Sequence, residues 1–350
     1  MTVEIVRRRE GHAEEVFRLY GEVFGQALTE KSRERWRWQY LQNPSTPPDG
    51  PAIWVAVEGG AVLGQYASMP VRLHWGGEEL DSSWGMDVFL RPEARGKGIG
   101  ARLFDAWSDS VPVALGLGLT DSSYGLFKKL RYEDVGPVPF FQKVLDPTAV
   151  IVRKAGRLLG AAFGPLAGVA LAFAVKERPH PEAAQVAVSP IDGFSDEFDA
   201  LWDRARGSYA MCVRRDRAYL TWKYRQPPHR RYALHEARRG GALVGYAVSR
   251  HEEHAGIRLG WLVDVFADAD DHAARDALLG AVLSGFRDAG VARAQAFSMN
   301  RALAEDLRRR GFFESRSPMQ FCVRAKGDAA QVFAAKERWH VVFGDSDMDR

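Results

Sequence analysis

Apolar and polar residues alternate over 3–7 (VEIVR) and then recur at helical spacing over Ala13–Phe24, where Val16, Leu19, Tyr20 and Phe24 form one stripe. A strand and a helix are predicted in that order. Residues 31–41 read as a second helix that stops near Asn43-Pro44, because proline lacks the amide that a helix interior uses. AIWVAV (52–57) turns at Glu58-Gly59-Gly60 into AVLGQYASM, which predicts a hairpin, and VRLHWGGEEL (71–80) predicts another ahead of a strand over 85–90. A helix over 98–110, a buried strand in PVALGLGLT (112–120), a short helix over 124–131 and the strand FFQKVL (140–145) close the series.

The pattern then starts again. WRWQYLQNP (36–44) is echoed by YLTWKYRQPP (219–228), with Trp38, Tyr40 and Pro44 matching Trp222, Tyr224 and Pro228. GGAVLGQYA (59–67) is echoed by GGALVGYAV (240–248), and MDVF (86–89) by VDVF (263–266). Fixed-order similarity of this kind marks an internal duplication. The second series runs from AQVAVSPI (184–191) through a helix to Asp203 capped by Ser195, a helix over 216–225, a hairpin of 232–237 with 242–250, and a strand over 258–266. A helix over 272–287, a strand over 292–298, a helix over 301–310 and the strand MQFCVR (319–324) complete it.

The expected class is α/β (α+β), with two tandem domains, each a mixed, mostly antiparallel twisted sheet flanked by helices. The boundaries expected are 1–145 for the first copy, 146–184 for a linker, 185–326 for the second copy and 327–350 for a tail. Within the linker, LLGAAFGPLAGVALAFAV (158–175) carries no charge, which leaves a buried helix, a membrane-surface contact and a membrane span open. Pro165 and the glycines argue against the span.

Composition narrows the function. With 48 Lys plus Arg against 45 Asp plus Glu the net charge is +3, too balanced for a nucleic-acid binder, and Arg7-Arg8-Arg9 and Arg308-Arg309-Arg310 read as solvated faces. Cys212 and Cys322 have no metal-ligand spacing, and no His/Cys/Asp cluster does, so no metal is expected. Reduced cysteines and a charged opening stretch without an apolar core predict a cytoplasmic protein.

The stretch RPEARGKGIGARLFDAW (91–107) carries the chemistry. Gly96, Gly98 and Gly100 stand where a strand passes into a helix, although glycine costs about 1 kcal/mol per helical position against alanine. Unpaired amides and the positive end of the helix dipole converge at such a point, glycine admits a close ligand, and Arg95 and Lys97 add charge. A diphosphate ligand fits. The Walker pattern is absent, since Gly98 follows Gly96-Lys97, and the dinucleotide fingerprint fails as well.

Arg95-Gly96-Lys97-Gly98-Ile99-Gly100, preceded by VFLRPEA, resembles the R/Q-x-x-G-x-G/A acyl-CoA pyrophosphate loop of the GNAT N-acetyltransferase family. The order of predicted elements is similar to that family's over 1–145, and over 185–325 in layout. The resemblance implies that Arg95, Gly96, Lys97, Gly98, Ile99 and Gly100 hold the diphosphate of acetyl-CoA, with Val88, Phe89 and Leu90 offering backbone to its pantetheine arm. It implies an acetyl-CoA-dependent N-acetyltransferase whose partners are acyl-CoA and a small-molecule or peptide amine. The second copy departs from the motif: Asp268, Asp270 and Asp271 stand where a phosphate would sit, so no CoA is expected there.

Transfer to an amine takes a base for the ammonium proton and an acid for the thiolate. Asp87, inside an apolar strand, is the candidate base, with a structural role as the competing reading because Asp264 repeats it. For the acid, the family's usual tyrosine position holds Phe127, and Arg131 stands at its glycine. Tyr124 is the substitute, with Ser122 and Ser123 behind it. His74, beside a Gly-Gly turn, is expected to be exposed, and Trp36, Trp38, Tyr40, Tyr219, Trp222 and Tyr224 are expected in the core. Two other functions stay open: a noncatalytic acyl-CoA-binding or scaffold protein, and a membrane-surface acyltransferase of cell-envelope or polysaccharide precursors.

Overall fold

The computed structural model describes residues 2–24, 30–155, 177–327 and 330–347. The first elements are β1 (Glu4–Arg7), α1 (Ala13–Phe24), α2 (Glu30–Leu41), β2 (Ile53–Glu58), β3 (Ala61–Trp75), β4 (Glu78–Leu90), α3 (Ile99–Ser108), β5 (Val113–Leu117), α4 (Asp121–Lys129) and β6 (Glu133–Pro137). There follow β7 (Phe140–Val144), α5 (Pro147–Ala155), β8 (Ala187–Ile191), α6 (Glu197–Ala205), β9 (Met211–Val213) and α7 (Arg217–Tyr224). The hairpin β10 (Ala233–Arg239) and β11 (Ala242–His254) leads to β12 (Ile257–Ala267), α8 (His272–Asp288), β13 (Arg293–Phe297) and α9 (Arg301–Arg309). The last are β14 (Phe313–Ser315), β15 (Gln320–Ala325), α10 (Ala330–Ala334) and β16 (Trp339–His340).

The chain divides into two compact units, and neither is a continuous stretch. The first comprises Met1–Pro137, Ala218–Arg230 and Met319–Lys336, and the second Val138–Arg217, Arg231–Pro318 and Glu337–Arg350. The first unit's sheet runs β1-β2-β3-β4-β5-β15-β6, and the second's runs β8-β10-β11-β12-β13-β7-β14. The two orders are the same. Neighbours are antiparallel except at β4–β5 and β12–β13, which are parallel.

This arrangement corrects the expected boundaries. FFQKVL was expected to close the first copy and MQFCVR the second, but β7 pairs with β13 and β14, while β15 pairs with β5 and β6. Strand patterning specifies which face is buried, and leaves open which edge a strand joins. Residues 337–350 belong to the second unit, and 339–346 are buried, so the expected tail is core. Two smaller expectations also change. The helix α6 begins at Glu197 with Asp196 at its N-cap, not Ser195, and His74 is buried on the long strand β3. The apolar stretch 158–175 lies outside the described residues, among which no helix is long and apolar enough to cross a membrane.

In the first unit, Ile99, Leu103, Phe104 and Trp107 of α3 pack with Trp54, Ala56, Tyr66 and Ala114 of the sheet. Val16 and Leu19 of α1 pack with Val55, Val62 and Phe89. Residues 54 and 56 point away from residue 55 on a strand, so the two helices cover opposite faces. In the second unit the apolar stripe of α8, from Leu278 to Phe286, packs with Ala237, Ala247, Leu262, Ala294 and Ala296.

The duplicated tryptophans meet inside the first unit. The Trp38 indole donates to the Trp222 carbonyl at 2.8 Å, Trp222 donates to the Trp38 carbonyl at 2.9 Å, and the rings stack at 5.2 Å. Sequence repetition has become a local two-fold exchange of hydrogen bonds. Trp222→Phe keeps the ring but removes a donor from a buried carbonyl, and urea denaturation is expected to show a loss of about 1–3 kcal/mol.

Candidate active site

The strand β4 ends where Arg91 N–H donates to Leu63 O at 2.8 Å and Arg91 Nε to Val62 O at 3.0 Å. A single turn over Pro92–Ala94 buries Ala94 and leaves Arg95–Gly98 exposed. Gly96 and Gly98 have φ of 74° and 75°, and Gly98 is the N-cap of α3. A Cβ at either would meet nothing within 4 Å, whereas its φ would strain any other residue. The backbone conformation therefore demands these glycines, in addition to the ligand approach expected from sequence. Arg102 N–H donates to Gly98 O at 3.3 Å as the helix begins, and the amides ahead of it belong to the first turn, which has no intrahelical acceptors. The open space at Gly96 and Gly98, the first-turn amides of α3 and the charges of Arg95 and Lys97 fit a diphosphate.

Beside this turn the sheet opens. Parallel pairing of β4 with β5 covers Ser82–Trp84 against Val113–Leu115 and stops there. From Gly85 onward β4 keeps its pairing with β3 alone, and that pairing contains a bulge: Ala67 faces Met86 and Gln65 faces Phe89. Tyr66 thus opposes both Asp87 and Val88. Asp87 takes φ 42°, an uncommon conformation for a residue with a side chain. Gly85 is required by contact, since a Cβ there would lie 2.1 Å from Tyr66 Oη and 2.6 Å from the Trp107 ring. Val88 and Leu90 pack with the α3 side of the sheet and Phe89 with the α1 side, leaving the main chain of 88–90 along the opened edge.

Asp87 lies in a cavity of about 230 Å³ lined by Phe17, Tyr20, Trp36, Gln39 and Tyr40, with Glu14, Arg18, Arg33 and Arg35 supplying charge. Tyr40 Oη donates to Asp87 Oδ2 at 2.6 Å, and Gln65 Nε2 donates to the Asp87 carbonyl at 3.2 Å. Glu14 accepts hydrogen bonds from Arg33, which hold its carboxyl below the ordinary range. Asp264, its match in the second copy, is 1% exposed, accepts from Tyr246 Oη at 2.9 Å and pairs with Arg215 Nε at 3.3 Å. One aspartate is a neutralised core group and the other faces a cavity.

Trp36 and Tyr40 are buried, as expected, and they also line this cavity. The hydrogen bond from Tyr40 to Asp87 is what sequence reasoning missed, because nothing local connects residue 40 to residue 87. Trp38, Tyr219, Trp222 and Tyr224 are buried, as expected.

Tyr124 sits in α4, whose N-cap Thr120 accepts from Ser123 N–H at 3.2 Å. Its phenol donates to the Asp134 carboxylate, and that hydrogen bond, with desolvation, pushes its pKa up to about 12. It is not among the residues lining the Asp87 cavity. Phe127 is buried with Phe104, Trp107 and Tyr132, and a Cβ on Gly116 would lie 2.2 Å from its ring. That position is core. Among the described residues no group of three or more His, Cys, Asp or Glu is placed to hold a metal ion.

Residues 4–112 match the family model described as acetyltransferase (GNAT) domain. Curated proteins give no match to the sequence. Among solved structures, a GCN5-related N-acetyltransferase from Anabaena variabilis is similar at a TM-score of 0.65 and 14% identity, over 95% of this chain and 75% of that one. One from Kribbella flavida is similar at 0.60 and 16%, over 95% and 73%. Saccharomyces cerevisiae N-myristoyltransferase, solved with bound myristoyl-CoA, is similar at 0.52 and 12%, over 93% and 83%. The structures show the fold, and residues 4–112 carry the match to the acetyltransferase (GNAT) domain. The family's acetyltransferase domain lies within the first unit of this chain.

The Tyr124 phenol is raised, so any stability it contributes is fully present below its unfolded value of about 10 and is lost as pH climbs toward about 12. Absorbance at the tyrosinate band is expected to show one exposed phenol titrating near 12, and Asp134→Asn to return it to about 10.

Proposed function

We propose that the protein is an N-acetyltransferase that moves an acetyl group from acetyl-CoA directly to an amine. The observation that carries this reading is one strand, β4, which bears a cavity carboxylate at Asp87 and ends in the left-handed glycine turn at Gly96 and Gly98. Backbone amides from Gly96 to Gly100 receive the diphosphate, with Arg95 contributing its guanidinium because its own amide donates to Pro92 O at 3.2 Å, and the main chain of Val88, Phe89 and Leu90 pairs with the pantetheine amides along the opened edge of β4.

Asp87 takes the proton of the acceptor ammonium, while Tyr40 fixes the carboxylate's orientation. The freed amine nitrogen attacks the thioester carbonyl, forming a C–N bond, and collapse of the tetrahedral species breaks the C–S bond while the nitrogen's second proton passes to solvent. Tyr124, protonated at neutral pH, turns from Asp134 to give its proton to the departing thiolate and recovers one from solvent. Phe17, Tyr20 and Trp36 favour an acceptor with an apolar body beside its amine. A noncatalytic acyl-CoA-binding role is the competing reading, favoured by Phe127 in the core where the family places a phenol.

Calorimetric titration with acetyl-CoA tests the first part: one site per chain, abolished by Gly98→Asp in a folded variant, is expected. Wild-type protein that binds none overturns the reading. In an amine screen, Asp87→Asn is expected to keep acetyl-CoA affinity and lose about 100- to 10,000-fold in kcat. An unchanged kcat removes Asp87 as the base and Tyr124→Phe then tests the other candidate.

A further inference from the structure

The second unit repeats the opened sheet. Parallel pairing of β12 with β13 stops at Leu262 with Ala296, and Asp264–Ala267 continue with β11 on one side, past a bulge at Val263. The opened side of this second wedge is filled by the chain itself. Met299 N–H donates to Val341 O at 3.1 Å, and Ser298 bridges Val342 in antiparallel fashion. The Phe343 ring stacks on Trp261 at 4.8 Å and on Phe297 at 5.5 Å, one residue from the end of the pairing on β12 and on β13. Asp345 accepts from Arg215 Nη2 at 2.7 Å and from Val342 N–H at 2.8 Å, and Trp339–His340 pairs with Met211–Cys212 of β9.

The helix that follows is also answered from within. Asp271 is the N-cap of α8, its Oδ1 accepting from Ala274 N–H at 3.0 Å, and Arg239 grips both its oxygens at 2.8 and 2.9 Å. A carboxylate therefore meets the positive helix end where the first unit presents bare glycine amides.

We propose that residues 339–346 are an internal ligand of the second unit: a peptide that is strand-like up to Val342 and makes a single turn over Phe343–Asp345, docked where β12 and β13 part, with Asp271 capping the helix that follows β12. The wedge is a peptide site rather than an acyl-CoA site. Its ligand chemistry is an aromatic side chain between Trp261 and Phe297, followed two residues later by a carboxylate on Arg215. Main-chain hydrogen bonds supply attachment and the two side chains supply register, as in other strand-addition complexes.

Hydrogen exchange on the full-length chain tests this. Phe343→Ala is expected to speed exchange of the Met299 amide by about tenfold or more, as a local opening, with the β1–β3 amides unchanged. Unchanged Met299 protection overturns the proposal. In a full-length chain carrying a specific protease site after Lys336, the cut 337–350 fragment is expected to co-elute with the body, and an added peptide of the same sequence to exchange into its place. A fragment that elutes free, with Met299 protection and Trp261 emission unchanged, overturns it, as does a second acetyl-CoA site per wild-type chain. Exchange at Met299 decides the question whether or not the first unit binds acetyl-CoA, so the two readings fail separately.

Discussion

Between Ala67 and Gln65 of β3 a single residue, Tyr66, faces two residues of β4, and the surplus is absorbed by Asp87 at φ 42°. A bulge of this kind bends its strand and redirects one side chain. Here it lies just past the last β4–β5 pair, so the edge from Met86 to Leu90 is left unpaired with β5. It also turns the Asp87 carboxylate to the Tyr40 phenol rather than into the apolar sheet. The glycine turn, which begins six residues beyond Leu90, then follows a strand that carries both a main-chain edge and the cavity carboxylate. Strain of this sort costs on the order of 1–3 kcal/mol and is maintained by its surroundings. Gly85, pressed against Tyr66 and Trp107, is part of that surround.

The duplicated copies show how few residues separate an open site from a filled one. Asp87 and Asp264 share a sequence position, yet Arg215 neutralises only the second. Gly98 and Asp271 both stand at the start of the helix after the fourth strand, and one leaves amides free where the other caps them with a carboxylate. The parallel pair parts in both sheets. In the second unit buried peptide takes the opened side, so the same architecture serves as core.

What could be read along the chain was local. The element order, both hairpins and the helix after the glycine turn follow from spacing and turn residues, and the structure contains them within a few residues. The short helix α4 starts three residues early because Thr120 caps it. The glycine motif was visible because its chemistry is carried by consecutive residues. Asp87 was visible as an isolated carboxylate in an apolar strand, although its cavity was not.

By itself the sequence determined the strand and helix periods and the glycine turn, since each rests on residues a few positions apart, and the repeat, since its matches are short runs in a fixed order. Only the tertiary structure decided which sheet β7 and β15 complete, that Tyr40 holds Asp87, and that 339–346 is core. The physical reason is the same in each case. Alternation states that a strand has a buried face, and an aromatic stripe states that a helix does, but neither names the surface that covers it. Pairing over about 180 to 210 residues of chain is selected by packing and hydrogen bonding among all the elements at once, as β15 shows in joining β5 and β6.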